Sequence, residues 1–409
     1  MNRICIIGGG AAGMAAALSA AQTNPHAQVT ILEGLDRVGK KILATGNGRC
    51  NLTNECISPV HYHTRQPQRL AQLLQDMPVS RTLDFFQSLG LYCITEEMGR
   101  IYPYCRQASM VLDVLLLALR RANIQVICNC KVNRLLPQKK SWLIQTEQGQ
   151  EFHADAVILT TGGKAAPKQG STGSGYPMAA RLGHHYTKLY PCLVPLQCDG
   201  AILKGLKGIR IHCGATLFAG KQKLTEELGE IQLTEYGLSG IPAFQLSCHM
   251  ENFTAGADYS VSLDLFPDWS YDALRTCIQQ RIRQYPQDTL ETCLLGLINK
   301  RVLFAVWKTL ALGALSRTAR SLTKRELDQL ISACKSWKFP VTGTLTWNHA
   351  QVTGGGIALD EIHDDFSSIY QLGLFFAGEI LDVVGDCGGY NLHWAWCSGM
   401  AAGTAAAQL

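Results

Sequence analysis

The chain has 409 residues, 47% apolar and 17% charged, with a net charge of +5. That composition supports a large core and two or three domains, and it excludes a disordered or low-complexity protein. Its sixteen cysteines are scattered through apolar stretches without a C-x-x-C pair, which points to buried reduced thiols in a cytoplasmic protein rather than a disulfide framework or a zinc site.

The first element, "MNRICIIGGGAAGMAAALSAA", has the basic start and apolar run of a signal peptide. Its glycines at 8, 9, 10 and 13 break a helical apolar region, and the periodicity changes there from strand to helix. The expectation is a buried strand, a glycine turn and an alanine-rich helix in the mature protein. Gly8, Gly10 and Gly13 form G-x-G-x-x-G, which allows a tight turn, close approach of a pyrophosphate, and close helix–strand packing. The free N–H groups of a helix start favour phosphate. "QVTILEG" then supplies a second strand ending in Glu33, an acid suited to the hydroxyls of an adenosine ribose. A carboxylate there disfavours a 2′-phosphate, so FAD or NAD fits better than NADP.

The loop "RVGKKILATGNGRCNLTN" follows. Lys40, Lys41 and Arg49 are candidates to neutralise phosphate or reduced flavin. Gly46 and Gly48 let backbone N–H groups reach a cofactor, and Asn47, Asn51 and Asn54 offer uncharged donors and acceptors. The competing reading is a solvated basic turn. Residues 67–119 predict a helix, an extended excursion and a second helix. "DAVILTTGG" is a buried strand whose end returns the chain to the dinucleotide, and "GSTGSGYPMAARLGH" is a second glycine-rich turn entering a helix.

Near Pro191 the rhythm changes to short β-type runs, which predicts an inserted antiparallel barrel or sandwich. Residues 270–338 turn helical. Between Arg275 and Lys338 stand twelve Lys and Arg against four Asp and Glu. Interleaved with Phe304, Trp307, Trp337 and Phe339, this charge suits a polyanion, although a solvated helical face is the commoner origin of such runs. The C-terminal "LGLFFAGEILDVVGDCGGYNLHWAWCSGMAAGTAAAQL" mirrors the first motif as strand, loop and helix. The segmentation expected is 1–190 for the first part of a dinucleotide-binding domain, 191–269 with 339–348 for the barrel, 270–338 for a basic helical insertion and 349–409 for the second part of the dinucleotide-binding domain.

The segments "IIGGGAAGMAAA", "GKKILATGNGRCNLTN", "TGGKAAPKQGSTGSGY", "VTGGGI" and "FFAGEILDVVGDCGGYNLHWAWCSG" together resemble the BaiN/YhiN-like FAD-dependent oxidoreductases, the aminoacetone-oxidase-like flavoproteins. The resemblance implies an α/β fold: a Rossmann-type FAD-binding domain formed by both chain ends, with an inserted antiparallel β-barrel and an inserted helical domain. It also implies FAD contacts from Gly8, Gly10, Ala11, Ala12, Gly13, Glu33, Lys41, Gly48, Arg49, Cys50 and Val132. Thr161 and Gly162 are expected near the adenosine end, and Gly378, Glu379, Asp382, Gly389, Asn391 and Leu392 near the pyrophosphate and flavin. The run "EIHDDFSSIYQLG" departs from the family pattern.

A helix starting at Gly388-Gly389 can aim N–H groups at the flavin edge that gains negative charge on reduction. The chain is therefore expected to be an FAD-dependent oxidoreductase acting by hydride transfer from flavin N5. No second dinucleotide fingerprint follows, so NAD(P)H is expected only as a transient reductant. Tyr390, His393 and Cys387 read as packing or cofactor contacts, and Cys50 as structural; no catalytic acid or base emerges. Two substrate classes remain: a small molecule, or a base in ribosomal or transfer RNA, such as uridine reduced to dihydrouridine, docked through the basic insertion.

Overall fold

The run Arg3–Ile7, RICII, is buried from Ile4 onward. A strand with neighbours on both edges and covered faces needs such a continuous apolar run. In the computed structural model, which describes residues 2–409, it is the middle strand, β1, of a five-stranded parallel sheet. β2 (Gln28–Leu32) and β3 (Gln125–Ile127) lie on one side, and β4 (Ala156–Leu159) and β5 (Leu374–Phe376) on the other. Ile6 stands opposite both Ile31 and Ile158, and Ile158 opposite Phe375. The order reverses at β1. Open α/β sheets take ligands outside the carboxyl ends of their strands at such a switch point.

The first helix, Ala11–Thr23, and the terminal helix, Tyr390–Ala407, are rich in alanine and glycine and largely buried. Small side chains let two helix backbones touch. A Cβ on Gly399 would stand 2.4 Å from the Ala12 carbonyl oxygen, and one on Gly403 2.1 Å from that of Ala16. The four-residue spacing puts both glycines on one helix face. Two indoles fix the terminal helix further: Trp394 Nε1 donates to the Gly378 carbonyl at 3.2 Å and Trp396 Nε1 to that of Leu52 at 3.2 Å. Both rings are buried with their single donor satisfied.

The chain divides into two units: residues up to Cys192 with Trp347–Leu409, and Leu193–Thr346. The first holds the parallel sheet, so both chain ends build the Rossmann-type part. The second holds a closed six-stranded antiparallel barrel of Leu196–Cys198, Arg210–Ala219, Gln222–Leu233, Gly237–Ser239, Tyr259–Asp264 and Trp337–Thr344. Trp337–Thr344 alternates buried and exposed along its length, the period-two pattern of a strand with one face inward. Helices Tyr271–Gln284, Leu290–Leu294, Lys300–Leu310 and Lys324–Lys335 share one apolar core with that barrel. Among the described residues no helix is long and apolar enough to cross a membrane.

Candidate functional site

The glycine turn after β1 is shaped by three different constraints. Gly8 has φ +108°, and a Cβ there would lie 2.6 Å from the Thr160 carbonyl oxygen. A Cβ on Gly13 would lie 2.0 Å from the Gly8 carbonyl oxygen. Gly10, at the cap of the first helix, is different: nothing stands within 4 Å of a Cβ built on it. The turn therefore needs Gly8 and Gly13 for its own closure, and leaves Gly10 facing open space beside free helix N–H groups. Ala11 and Ala12 are the first residues of that helix. Thr160 Oγ1 donates to the Gly8 carbonyl at 2.8 Å, which ties the end of β4 to the turn. Thr161 and Gly162, with φ +69°, follow directly.

Glu33 ends β2 as expected and turns back to the glycines. Its Oε2 accepts the Gly9 N–H at 2.7 Å and its Oε1 the Leu35 N–H at 2.9 Å. These two bonds fix the carboxylate and leave other lone pairs for a ribose. Val132 is buried at the start of the strand Val132–Pro137.

The loop after β2 is a series of left-handed residues. Gly46, Asn47, Gly48 and Cys50 all have positive φ, and a Cβ on Gly48 would again meet nothing within 4 Å. Three of its cations are tied to acids. Lys40 pairs with Asp36 at 2.5 Å, Lys41 with Glu379 at 2.5 Å, and Arg49 with Glu96 at 3.0 Å. Arg49 also lies 4.2 Å over the Tyr102 ring. Cys50 is fully buried, and burial pushes its thiol up to about 12, so it is a core residue rather than a redox thiol. Asn51 is buried with its Oδ1 lacking a hydrogen-bond partner among the described residues. A buried orphan acceptor is costly.

The C-terminal segment comes to the same place. Gly378 has φ +77°, and its N–H donates to Ser398 Oγ at 2.9 Å. Glu379 Oε1 accepts the Thr353 N–H at 2.9 Å. Gly389 caps the terminal helix with φ +103°; a Cβ there would stand 2.4 Å from the Thr53 carbonyl oxygen and 2.9 Å from Asn51 Oδ1. The helix start and the orphan acceptor thus adjoin. The Asn391 side chain does not face out: Oδ1 accepts the Gly385 N–H at 2.8 Å and Nδ2 donates to the Gly385 carbonyl at 2.6 Å. It holds the preceding loop, and Leu392 packs against the core. Asp382 is 3% exposed, and burial raises its carboxyl to about 6 against the Arg65 N–H it accepts.

His393 is fully buried, and burial lowers it to about 4. Its Nε2 lies 2.9 Å from the Met77 carbonyl, which only accepts. The ring is therefore the neutral Nε2–H tautomer, with Thr53 Oγ1 donating to Nδ1 at 2.8 Å. It is a structural histidine.

The divergent run near residue 361 forms an internal clasp. Glu361 accepts the His185 N–H at 2.7 Å and His185 Nδ1 at 2.7 Å. One polar group was missed by sequence reasoning. Asp386 Oδ2 lies 3.1 Å from His61 Nδ1 and Oδ1 lies 2.9 Å from His63 Nε2. The "HYH" alternation was the only signal, and its partner is more than three hundred residues away.

In the helical region around 275–338, acids offset part of the positive charge. Arg275 pairs with Asp328, Lys300 with Glu291, Arg317 with Glu326 and Lys335 with Asp264. Arg281 is turned onto the Cys293 and Leu295 carbonyls.

Open space over Gly10 and Gly48, an unpartnered buried Asn51 acceptor, and two helix starts at the strand ends fit a dinucleotide cofactor. The family model described as HI0933-like protein Rossmann domain matches residues 2–405. A 3-dehydro-bile acid delta(4,6)-reductase of Clostridium scindens is 40% identical, with both chains covered completely. A ribosomal RNA dihydrouridine synthase of Haemophilus influenzae is 27% identical, over 97% of this chain and 96% of that one. Among solved structures, the 3-ketosteroid-delta4-(5alpha)-dehydrogenase of Rhodococcus jostii RHA1 shares the fold at 16% identity and a TM-score of 0.51, covering all of this chain and 97% of its own.

Proposed function

The chain belongs to the HI0933-like Rossmann family and is an FAD-dependent oxidoreductase; from that premise we propose that it reduces a carbon–carbon double bond conjugated to a ketone in a small, apolar, steroid-like molecule. The observation that carries this is the 40% identity, without uncovered segments, to a reductase of 3-dehydro-bile acids. FAD, when bound, supplies the hydride from N5, and a nicotinamide dinucleotide is the class of donor that replenishes it. Gly8, Gly10, Gly13, Ala11 and Ala12 hold the pyrophosphate, and Glu33 the ribose. Thr161 and Gly162 border the adenosine end. Asn47, Gly48 and Asn51, with Gly378, Glu379, Asp382 and Gly389, border the ribityl chain and flavin. Lys40, Lys41 and Arg49 act there as members of ion pairs rather than as free cations.

The RNA reading has two supports: the basic insertion and the 27% identity to ribosomal RNA dihydrouridine synthases. It is the weaker of the two, because the similarity is lower and four of the insertion's twelve cations are held in ion pairs.

The test is a single-turnover experiment. Holoprotein reduced anaerobically by dithionite is mixed with a 3-oxo-Δ4 steroid or bile acid. One equivalent is expected to restore the oxidised flavin spectrum and yield the saturated ketone. Reoxidation by ribosomal RNA, with dihydrouridine formed and the ketone inert, would reverse the assignment.

Gly10→Ala separates cofactor approach from folding. The added methyl meets no atom of the chain, and Gly10 has φ −83°, so apoprotein stability is expected to stay within about 0.5 kcal/mol. FAD affinity is expected to fall at least tenfold. Equal FAD titrations of the two apoproteins would remove the pyrophosphate from this turn. Glu33→Ala should likewise weaken FAD retention on gel filtration; undiminished retention would exclude a ribose role.

A further inference from the structure

The geometry points to His61 as the proton donor of the reduction, oriented by Asp386; this inference rests on the enone-reductase reading above. Delivering a hydride to one carbon of a conjugated double bond leaves the electron pair on its neighbour, which must take a proton. A group for that purpose needs an exchangeable proton, a fixed orientation, and access to the site.

The described residues near the start of the terminal helix offer few candidates. His393 is fully buried and its N–H is engaged by the Met77 carbonyl. Tyr390 is 6% exposed, and burial pushes its hydroxyl up to about 12, with Asp386 adding to the effect. His61 differs from both. Its side chain retains 34% exposure. Its ring stacks on Tyr390, the first residue of the terminal helix, with centroids 4.5 Å apart and planes 22° apart.

Asp386 sets the tautomer. A carboxylate only accepts, so at 3.1 Å His61 Nδ1 carries the hydrogen toward Oδ2. Nε2 is the edge turned away from Asp386. With Nδ1–H held by the carboxylate, Nε2 is the ring atom left to pass a proton. The Asp386 loop is itself held. Asn391 clasps Gly385 at both amide groups, and the Asp386 N–H donates to the His61 carbonyl at 2.9 Å. The groups facing this cluster are His63 and Tyr62 from the same segment, Tyr390 from the helix, and Cys56 and Arg100 beside Tyr390. Asn54 ties the Met98 carbonyl to that of Gly388 by two Nδ2 bonds of 3.1 and 3.0 Å, closing the loop on that side.

The step balances. Reduced FAD, when bound, would supply the hydride that the β carbon gains. The π electrons pass to the α carbon through the enolate, and that carbon bonds the proton leaving His61 Nε2. The imidazole regains a proton from water, and a nicotinamide donor restores the two electrons.

The test uses His61→Ala holoprotein, with FAD content and dithionite reduction measured first. Both are expected to match the parent, as is the spectral shift on binding the enone to oxidised protein. Reoxidation of the reduced variant by the enone is expected to be about 10²-fold slower or more. Added imidazole should restore it in proportion to its concentration, a response that a packing role for His61 would not give. Asp386→Asn should show an intermediate loss with normal enone binding. Reoxidation of His61→Ala at the parent rate, or a slow variant that imidazole leaves unchanged, overturns the assignment. If the parent itself is not reoxidised by the enone, the functional reading falls first and this inference with it.

Discussion

A Gly399→Val, Gly403→Val double variant is expected to emerge without FAD and without a cooperative melt of the Rossmann-type unit. Each valine would press its Cβ into a backbone carbonyl of the first helix, at 2.4 Å for Gly399 and 2.1 Å for Gly403. Backbone atoms cannot swing aside as a side-chain tip can, so the two helices must separate. Overpacking in a close-packed interior costs about 1–3 kcal/mol per site and sometimes more. Two such costs on one face are comparable with the ~5–15 kcal/mol that holds a domain together. The glycine turn begins the first helix and Gly389 begins the second, so their separation also parts the two halves of the proposed cofactor site. The checks are flavin absorbance per chain after gel filtration and thermal unfolding followed by circular dichroism. A double variant that keeps its flavin and melts like the parent would show that this contact does not govern the site.

The second large effect concerns pH, where two buried groups oppose each other. Asp382 is raised from 3.8 to about 6 by burial. Its contribution to stability is fully present below the unfolded value and is lost as pH rises through about 6. His393 is lowered from 6.5 to about 4, also by burial. Its contribution is present above the unfolded value and is lost as pH falls through about 4. At about 1.4 kcal/mol per pKa unit, each amounts to roughly 3 kcal/mol. Over the shared window from about 4 to 6 the two slopes nearly cancel in the parent apoprotein. Asp382→Asn should leave stability rising with pH across that window. His393→Gln should leave it falling. Melting temperatures of the three apoproteins from pH 4 to 7 decide the matter, since contributions from other groups are common to all. Parallel pH curves would mean that neither group carries the shift.

The Rossmann-type elements could be read from local order. A glycine fingerprint between a buried strand and an alanine-rich helix restricts the backbone to few solutions, and Glu33 marks the end of the next strand. The helical and β-type character of the middle of the chain follows from its changing periodicity. The cations of the loop after β2 illustrate the limit. Lys41 and Arg49 look like free cations when seen beside glycines, but Glu379 and Glu96 reach them from 338 and 47 residues away. Asn391 looks like a free side-chain amide in its motif, yet that amide is used to hold Gly385. Charge and hydrogen-bond capacity are visible in a residue's name; the partner that uses them is not.

By itself, then, the sequence determined the local conformations: which runs are strands, which turns require glycine, and which ends of the chain carry nucleotide-binding character. Propensity, periodicity and steric exclusion act over a few residues, so they can be read there. Only the tertiary structure decided that Asp386 joins His61 and His63, that Gly399 and Gly403 seat one helix on another, and that Asp382 and His393 lose their water. Those outcomes depend on burial and on pairings between distant segments, and no short-range rule contains them.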